Sequence, residues 1–357
     1  MLAVDWLRGL AVLVMIQCHA MVLLRPELRK EKLYNVLVQI DGLVAPSFIL
    51  AAGFSLGLIL VRAAAQGKLR DRVRKSSRRV AEVWAVAFAY SIIFLNSFRH
   101  PESWLRVEIL HCIAISLTVC LLLAAALASR PLLLGLAAPA LGYVVFAVSP
   151  FAEGVRGFGA HFANSTSESM FPLFPWMGYA LVGLTLGSET ARAGVRGLLR
   201  VCLILFVVGA VTNVFRKEIV AAYPPHNEWV TSPAEAAHRV QYVMGLTLAL
   251  MGLERLVRGA EKLVPFQVLG FFGTNSLGGY FFHELLLYKA VIGVSFASLW
   301  RDVAGWTAYW ALTALLIALT AACCVGWDRL WKWVTEEWAR RVALLRGSGP
   351  RKSPSSG

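Results

Sequence analysis

Residues 4–20, VDWLRGLAVLVMIQCHA, form an apolar stretch that is long enough to cross a lipid bilayer as a helix. The stretch nevertheless contains Asp5, Arg8 and His19. Ionisable side chains are costly inside a membrane, and those found there usually face a cavity or a partner and mark function. Asp5 and His19 are 14 residues apart, which is about 21 Å along a helix. We therefore expect them near opposite faces of the membrane.

The composition extends this interpretation to the whole chain. The 357 residues are 58% hydrophobic and 16% charged, with a mean hydropathy of +0.63, whereas soluble domains carry about 25% charged residues. Apolar runs of membrane-spanning length recur from end to end, so we predict an all-α polytopic integral membrane protein with about ten transmembrane helices. The predicted spans are 4–24, 36–61, 79–97, 107–128, 131–149, 170–187, 197–215, 238–257, 266–291 and 304–328. They make one transmembrane domain over residues 1–335, followed by a basic, Gly/Ser/Pro-rich tail at 336–357.

Basic residues set the predicted topology. Residues 62–79 contain eight Lys and Arg and one Asp, which predicts a cytoplasmic loop there and places both termini in the cytoplasm. The net charge of +14 fits this positive-inside pattern and contact with anionic membrane lipid. We therefore expect no nucleic-acid partner.

Two further patterns favour structural roles. The six cysteines are scattered over apolar segments without the spacing of a metal site, so we predict no metal. Gly53-Phe54-Ser55-Leu56-Gly57 matches the GxSxG pattern of hydrolases, but it lies within a predicted span and not in a strand–turn–helix context. Gly53 and Gly57 predict a helix-packing surface there.

Four histidines and one aspartate share the predicted outer half of the membrane. They are His19, Asp41, His111, His238 and His283. Each of them alone could be a packing residue or a chance interfacial residue. Their common depth predicts a polar cavity.

A histidine beside a carboxylate is a general base, because the carboxylate sets the tautomer and raises the basicity of the ring. We predict that His19 is the base and that Asp41 orients it; a packing role for His19 is the alternative. At the inner end, Asp5 and Arg8 are one helical turn apart and can form an ion pair. The loop at 62–79 either binds an anionic cofactor through arginine or is simply solvated.

Four stretches resemble the heparan-α-glucosaminide N-acetyltransferase-like family of transmembrane acyltransferases. They are residues 5–11 (DWLRGLA) with His19, residues 41–48 (DGLVAPSF), residues 171–178 (FPLFPWMG) and residues 273–284 (GTNSLGGYFFHE). Each stretch is short, and their order along the chain carries most of the specificity. The chain resembles a bacterial-type member of the family, and acyltransferase-3 proteins share the Asp-to-His spacing of the first helix.

The resemblance implies transfer of an acetyl group from cytosolic acetyl-CoA to an amine or hydroxyl of a saccharide across the membrane. It implies His19 and His283 as catalytic residues, and the depth argument adds Asp41. For acetyl-CoA it implies Asp5, Arg8, Arg78, Arg79 and Asn275, and Asn275 or His283 as the hydrogen-bond donor to the oxyanion. Eukaryotic members place a histidine in the loop before the second span, but residues 25–39 contain none; we expect His19 to substitute for it, as in acyltransferase-3 proteins.

Two alternatives stay open at the level of sequence. One is an acyltransferase-3-like O-acetylase of glycans, and the other is a non-enzymatic carrier or structural membrane protein. The expected location is the bacterial cytoplasmic membrane, and a homodimer is one expected assembly. Whether an acetyl-histidine forms before the acceptor reacts stays open as well.

Overall fold

A computed structural model describes residues 2–165, 168–257, 259–289 and 293–347. Within these ranges the chain forms α-helices joined by turns and 3-10 helices, and no β-strand is present. Of the predicted tail at 336–357, residues 336–347 belong to the last helix, and residues 348–357 lie outside the described ranges. The helices are α1 (Leu2–Ala20), α2 (Lys32–Asp41), α3 (Val44–Ala65), α4 (Leu69–Phe94), α5 (Ile109–Leu127), α6 (Pro131–Ala152), α7 (Ala160–Ala163), α8 (Leu173–Val214), α9 (Arg216–Ala221), α10 (Pro233–Leu256), α11 (Val264–Thr274), α12 (Ser276–Tyr288), α13 (Phe296–Trp300) and α14 (Trp306–Gly347).

Six helical stretches of the described chain are long and apolar enough to cross a membrane. They are Leu2–Leu23, Lys32–Ala65, Pro101–Leu127, Pro131–Ala152, Leu173–Val214 and Trp306–Val342. The all-α, polytopic membrane class is therefore confirmed, whereas ten spans and cytoplasmic termini stay predictions.

The difference between the ten predicted spans and the six stretches of membrane-spanning length has identifiable causes. The helix α8 covers two predicted spans, which meet at Gly194 with a φ of 62°. The helices α4 and α10 carry several charged residues, and the predicted span 266–291 is divided between the short helices α11 and α12.

The basic segment 62–79 is largely helical, so the prediction of a loop there is wrong. Helix α3 ends at Ala65 and α4 begins at Leu69, which leaves three residues for the turn. Gly67 adopts a φ of 69° in that turn, a conformation that glycine adopts without steric cost. Arginine and lysine are good helix formers, and they continue the helix where their charge had indicated a loop.

The chain divides into two compact units, each described by itself. The first comprises Met1–Cys18 and Arg29–Thr274, and the second comprises His19–Leu28 and Asn275–Gly357.

In the first unit, α3 and α8 approach closely through glycine. A Cβ on Gly53 would lie 2.0 Å from the carbonyl oxygen of Ala180, and a Cβ on Gly57 would lie 2.5 Å from that of Leu184. On α8, a Cβ on Gly183 would meet the carbonyl oxygen of Leu50 at 1.9 Å. The predicted packing role of Gly53 and Gly57 is confirmed, since only glycine allows backbones this close.

The beginning of α1 packs against α11 in the same way. A Cβ on Gly9 would lie 1.9 Å from the carbonyl oxygen of Leu269, and one on Gly273 would lie 2.1 Å from that of Asp5. The rings of Trp6 and Phe266 pack beside these contacts in a tilted arrangement, with centroids 4.5 Å apart. The N-terminal half of α1 is therefore held by backbone contact along one side.

The second unit is built from the end of α1, helices α12 and α13, and α14. The α12 backbone comes close to α14, where a Cβ on Gly278 would lie 3.2 Å from Cys324 Sγ. Helix α13 begins with a capping box in which Ser295 and Ser298 satisfy each other's backbone N–H groups.

Candidate active site

The chain segment that follows His19 is anchored by backbone hydrogen bonds. Helix α1 ends at Ala20, and a 3-10 helix at Met21–Leu23 follows it directly. The N–H of Ala304 donates to the carbonyl of Leu23 at 2.9 Å, and the N–H of Arg25 donates to the carbonyl of Ala304 at 3.1 Å. These bonds attach the end of α1 to the turn before α14 and so position His19.

Helix α12 supplies the partners of His19. His283 and Glu284 are consecutive on this helix, and both are buried. His283 Nδ1 lies 2.8 Å from the carbonyl oxygen of Gly279, one turn earlier on the same helix. The ring of Tyr280 meets that of His283 edge-on at 5.8 Å.

The three side chains converge on one point. His283 Nε2 lies 3.0 Å from His19 Nδ1, and the Glu284 carboxylate contacts the same His19 Nδ1 directly. Glu284 Oε1 also lies 3.5 Å from His283 Nε2. We refer to His19, His283 and Glu284 as the His–His–Glu cluster.

The hydrogen-bond network assigns the protons of both rings. A carbonyl oxygen only accepts, so the proton of neutral His283 is on Nδ1, and Nε2 has a lone pair. Both Glu284 and His283 Nε2 therefore present acceptors to His19 Nδ1, which is the donor. In this tautomer His19 Nε2 has a free lone pair.

Burial separates the roles of the three residues. The side chain of His19 is 33% exposed, whereas those of Glu284 and His283 are 6% and 0% exposed. Of the three side chains, only that of His19 is therefore accessible to a substrate. A histidine whose tautomer is set by a buried carboxylate in this way is chemically suited to accept a proton on its other ring nitrogen.

The predicted cofactor residues have different surroundings. Arg8 and Asp5 form the expected ion pair at 3.4 Å in the first unit, with partly exposed side chains, so their pairing is confirmed. Arg78 and Arg79 are exposed on α4. Asn275 immediately precedes α12 in the second unit, and binding of acetyl-CoA by any of these residues stays a prediction.

The other predicted outer-half residues belong to the first unit. Asp41 is the last residue of α2, and its pairing with His19 stays a prediction. His111 Nε2 lies 3.3 Å from the Ser91 hydroxyl in the contact of α4 with α5. Its burial there fits a packing role.

His238 lines a cavity of about 400 Å³ in the first unit. Its wall combines the aliphatic side chains of Val36, Ile40 and Leu43 with aromatic rings and hydrogen-bonding groups: Gln39, Arg216, Trp229, Glu235, His238 and Tyr242. The ring of Tyr242 meets that of His238 edge-on at 4.6 Å. Among the described residues, no hydrogen-bond partner reaches the buried His238 Nδ1.

A buried charge cluster supports this cavity. The Glu235 carboxylate is paired with Arg239 at 3.1 Å and with Arg216 at 2.8 Å. Arg239 also donates to the Trp229 carbonyl at 2.6 Å and lies over the Trp229 ring at 4.8 Å. The cluster fixes the aromatic wall, because the Arg239 side chain is 3% exposed and satisfied on several sides.

Glu284 is the site residue that the sequence reasoning did not assign. A signal for it existed, because His283 and Glu284 are two ionisable side chains within an otherwise apolar segment. Depth alone favoured Asp41 as the partner of His19. Depth does not report which way a side chain points around its helix.

The sequence of this chain matches the model of the family described as heparan-alpha-glucosaminide N-acetyltransferase, catalytic, over residues 1–200. The chain belongs to this family. No curated protein matches it. The family match covers His19 and the residues predicted near the inner membrane face, and it ends before α12. The family match and the apolar helices together indicate an integral membrane protein of acetyltransferase type.

Proposed function

We propose that this protein transfers an acetyl group from cytosolic acetyl-CoA to an amine or hydroxyl of an extracytoplasmic saccharide, with His19 as the general base. The observation that carries the proposal is the His–His–Glu cluster, in which His19 is exposed and both of its partners are buried. The expected location is the bacterial cytoplasmic membrane.

The cluster suits deprotonation of a nucleophile. The Glu284 carboxylate holds the proton on His19 Nδ1, so Nε2 can accept a proton from an attacking amine or hydroxyl. The nucleophile then forms a bond to the thioester carbonyl carbon, the C–S bond breaks, and CoA leaves as the thiolate. The proton on His19 Nε2 passes to that thiolate, which returns the base to its starting state.

His283 has a supporting role in this scheme. Its Nδ1–H is used by the Gly279 carbonyl and its Nε2 faces His19, so neutral His283 has no N–H left for the oxyanion. We therefore assign His283 as a positioning residue and keep Asn275 as the proposed oxyanion donor, since preorganised donors at the developing charge lower the barrier most.

We expect acetyl-CoA to bind to the basic residues of the first unit. Arg8, Arg78 and Arg79 are the proposed contacts to its phosphates, because the guanidinium group matches phosphate oxygens in geometry and charge. Asp5 keeps the Arg8 side chain oriented through their ion pair.

The cavity beside His238 is the proposed binding site of the saccharide. Its volume of about 400 Å³ falls in the range of about 300–1,000 Å³ that is typical of small-molecule sites. Trp229 and Tyr242 offer apolar ring faces, and Gln39 and His238 offer hydrogen bonds to hydroxyl groups. This combination fits a sugar, which has both apolar and polar faces.

The test is release of CoA by the purified protein in detergent, with and without a glucosamine acceptor. We expect His19→Ala to abolish acceptor-dependent release. The matched control is His100→Ala, because His100 is an exposed histidine that lies 3.4 Å from a glutamate, Glu102, and plays no part in the proposed site. A mass increase of one acetyl group on the glucosamine identifies the product.

The outcomes separate the alternatives. No acetylation of any amino or hydroxyl sugar by a folded protein would favour the carrier or structural alternative. Acetylation of hydroxyl groups alone would favour the O-acetylase. Full activity in His19→Ala would contradict the assignment of the base.

A further inference from the structure

The His–His–Glu cluster has the donor set and the shape of a metal site. His19 Nδ1, His283 Nε2 and Glu284 Oε1 all lie within 4.8 Å of one another. With metal–ligand distances of about 2.0–2.2 Å, neighbouring ligand atoms of a tetrahedral Zn²⁺ are roughly 3.3–3.5 Å apart. Two of the separations, 3.0 and 3.5 Å, are already near this range, and a small outward shift of His19 would open the third.

The surroundings of His283 are also those of a metal ligand. Histidines that bind metals usually donate their other ring N–H to a carboxylate or a backbone carbonyl, which directs the free lone pair at the metal. His283 does this through its Nδ1–H and the Gly279 carbonyl, at 2.8 Å. The side chain of His19 is 33% exposed, so His19 is the member of the cluster beside which water can supply a fourth ligand.

We propose that the cluster binds Zn²⁺ and that the bound ion switches off the general base. Two histidines and one carboxylate form a ligand set that suits Zn²⁺ and is poor for Mg²⁺ or Ca²⁺, which prefer oxygen ligands. The binding step stands on the geometry of the cluster. The inhibition step rests on the proposed function.

Inhibition follows from the position of one proton. Without metal, His19 has its proton on Nδ1, where Glu284 accepts it, and a lone pair on Nε2. To bind the metal, His19 Nδ1 has to offer a lone pair, so the ring proton moves from Nδ1 to Nε2. The ring stays neutral, and His19 releases no proton to solvent. A ring protonated at Nε2 has no lone pair there and takes no proton from an acceptor.

The experiment is calorimetric titration of the full-length protein in detergent, with its affinity tag removed, using ZnCl₂ and, in parallel, MgCl₂. We expect one Zn²⁺ per chain and no binding of Mg²⁺. Glu284→Gln and His283→Gln should each weaken zinc binding by about tenfold or more. His100→Ala, which removes the exposed His100–Glu102 pair, should leave it unchanged.

Activity measurements complete the test. Zinc at saturating concentration should suppress CoA release at least tenfold, and EDTA should restore it. Zinc affinity that is equal in wild type and Glu284→Gln would overturn the site, and activation by zinc would overturn the inhibition. A protein that binds zinc through Glu284 but never acetylates a sugar would refute the proposed function while the metal site stands.

Because either variant could be poorly folded, thermal unfolding of each is measured without metal and with zinc. A variant with a wild-type midpoint that zinc no longer raises supports the site. A variant whose midpoint rises with zinc as much as that of the wild type contradicts it, because ligands stabilise the folded state in proportion to their binding.

Discussion

Replacing Gly183 by alanine should destabilise the contact of α3 with α8. The added Cβ would lie 1.9 Å from the carbonyl oxygen of Leu50, whereas ordinary van der Waals contact begins at 3.4 Å. The two helices must therefore separate by up to about 1.5 Å, and the carbonyl cannot rotate away because it belongs to the backbone of α3. Overpacking of this kind costs roughly 1–3 kcal/mol, and more where the backbone has to move.

The matched control is Gly252→Ala on α10, because within the described part of the chain no atom beyond the adjoining helix backbone lies within 4 Å of the Cβ that would be added there. Alanine in an open helix interior is more favourable than glycine by about 0.5–1 kcal/mol. We expect the midpoint of thermal unfolding in detergent to fall by several degrees for Gly183→Ala and to stay the same or rise for Gly252→Ala. Unfolding is monitored by size-exclusion chromatography of heated samples. Equal midpoints for the two variants would refute the close backbone approach.

Three further predictions concern the two polar sites. Glu284→Gln should lower kcat of acetyl transfer by about 10²–10⁴-fold with little change in the acceptor KM, because the amide no longer holds the proton on His19 Nδ1; steady-state kinetics that show the loss in KM instead would contradict this. Glu235→Gln should lower the free energy of unfolding by about 3–5 kcal/mol, because it leaves the buried Arg239 without a charge partner; denaturant unfolding checks this, and a wild-type value would be incompatible with a buried pair. Tyr242→Ala should raise the acceptor KM about tenfold, which corresponds to about 1.4 kcal/mol of lost contact, while Tyr242→Phe keeps the wild-type KM; an unchanged KM in both would remove the cavity from acceptor binding.

The fold class and some local contacts could be predicted from the sequence because they depend on short-range patterns. Hydropathy over about 20 residues suffices to recognise membrane helices. The ion pair of Asp5 with Arg8 follows from a spacing of three residues on one helix. The packing of Gly53 and Gly57 follows from a spacing of four. In each case the sequence pattern that carries the prediction lies within a single helix.

The partner of His19 could not be predicted, because it depends on how helices are rotated against one another. His19 and His283 are 264 positions apart, and a helix that turns by about 100° per residue can present either of two neighbouring side chains. The membrane depth of a residue constrains its height and leaves this rotation free. The prediction therefore chose Asp41, which matches His19 in depth, and assigned no role to Glu284, which contacts it.

The number of helices was hard to predict for a different reason. Charged segments such as residues 69–79 begin α4 instead of forming a loop, and α8 runs from Leu173 to Val214 across two predicted spans. A loop and a polar helix can share the same composition, so a run of charged residues does not distinguish between them.

The bond from His283 to the Gly279 carbonyl has a consequence for mutational scanning. Every amino acid at position 279 presents the same carbonyl oxygen, so no side-chain replacement there can delete the acceptor. A scan that substitutes each position in turn would detect this interaction at position 283 and would be blind to it at 279. Of the two residues in this bond, only position 283 therefore depends on the type of side chain. The acceptor at position 279 is a backbone atom that every sequence with this helix provides.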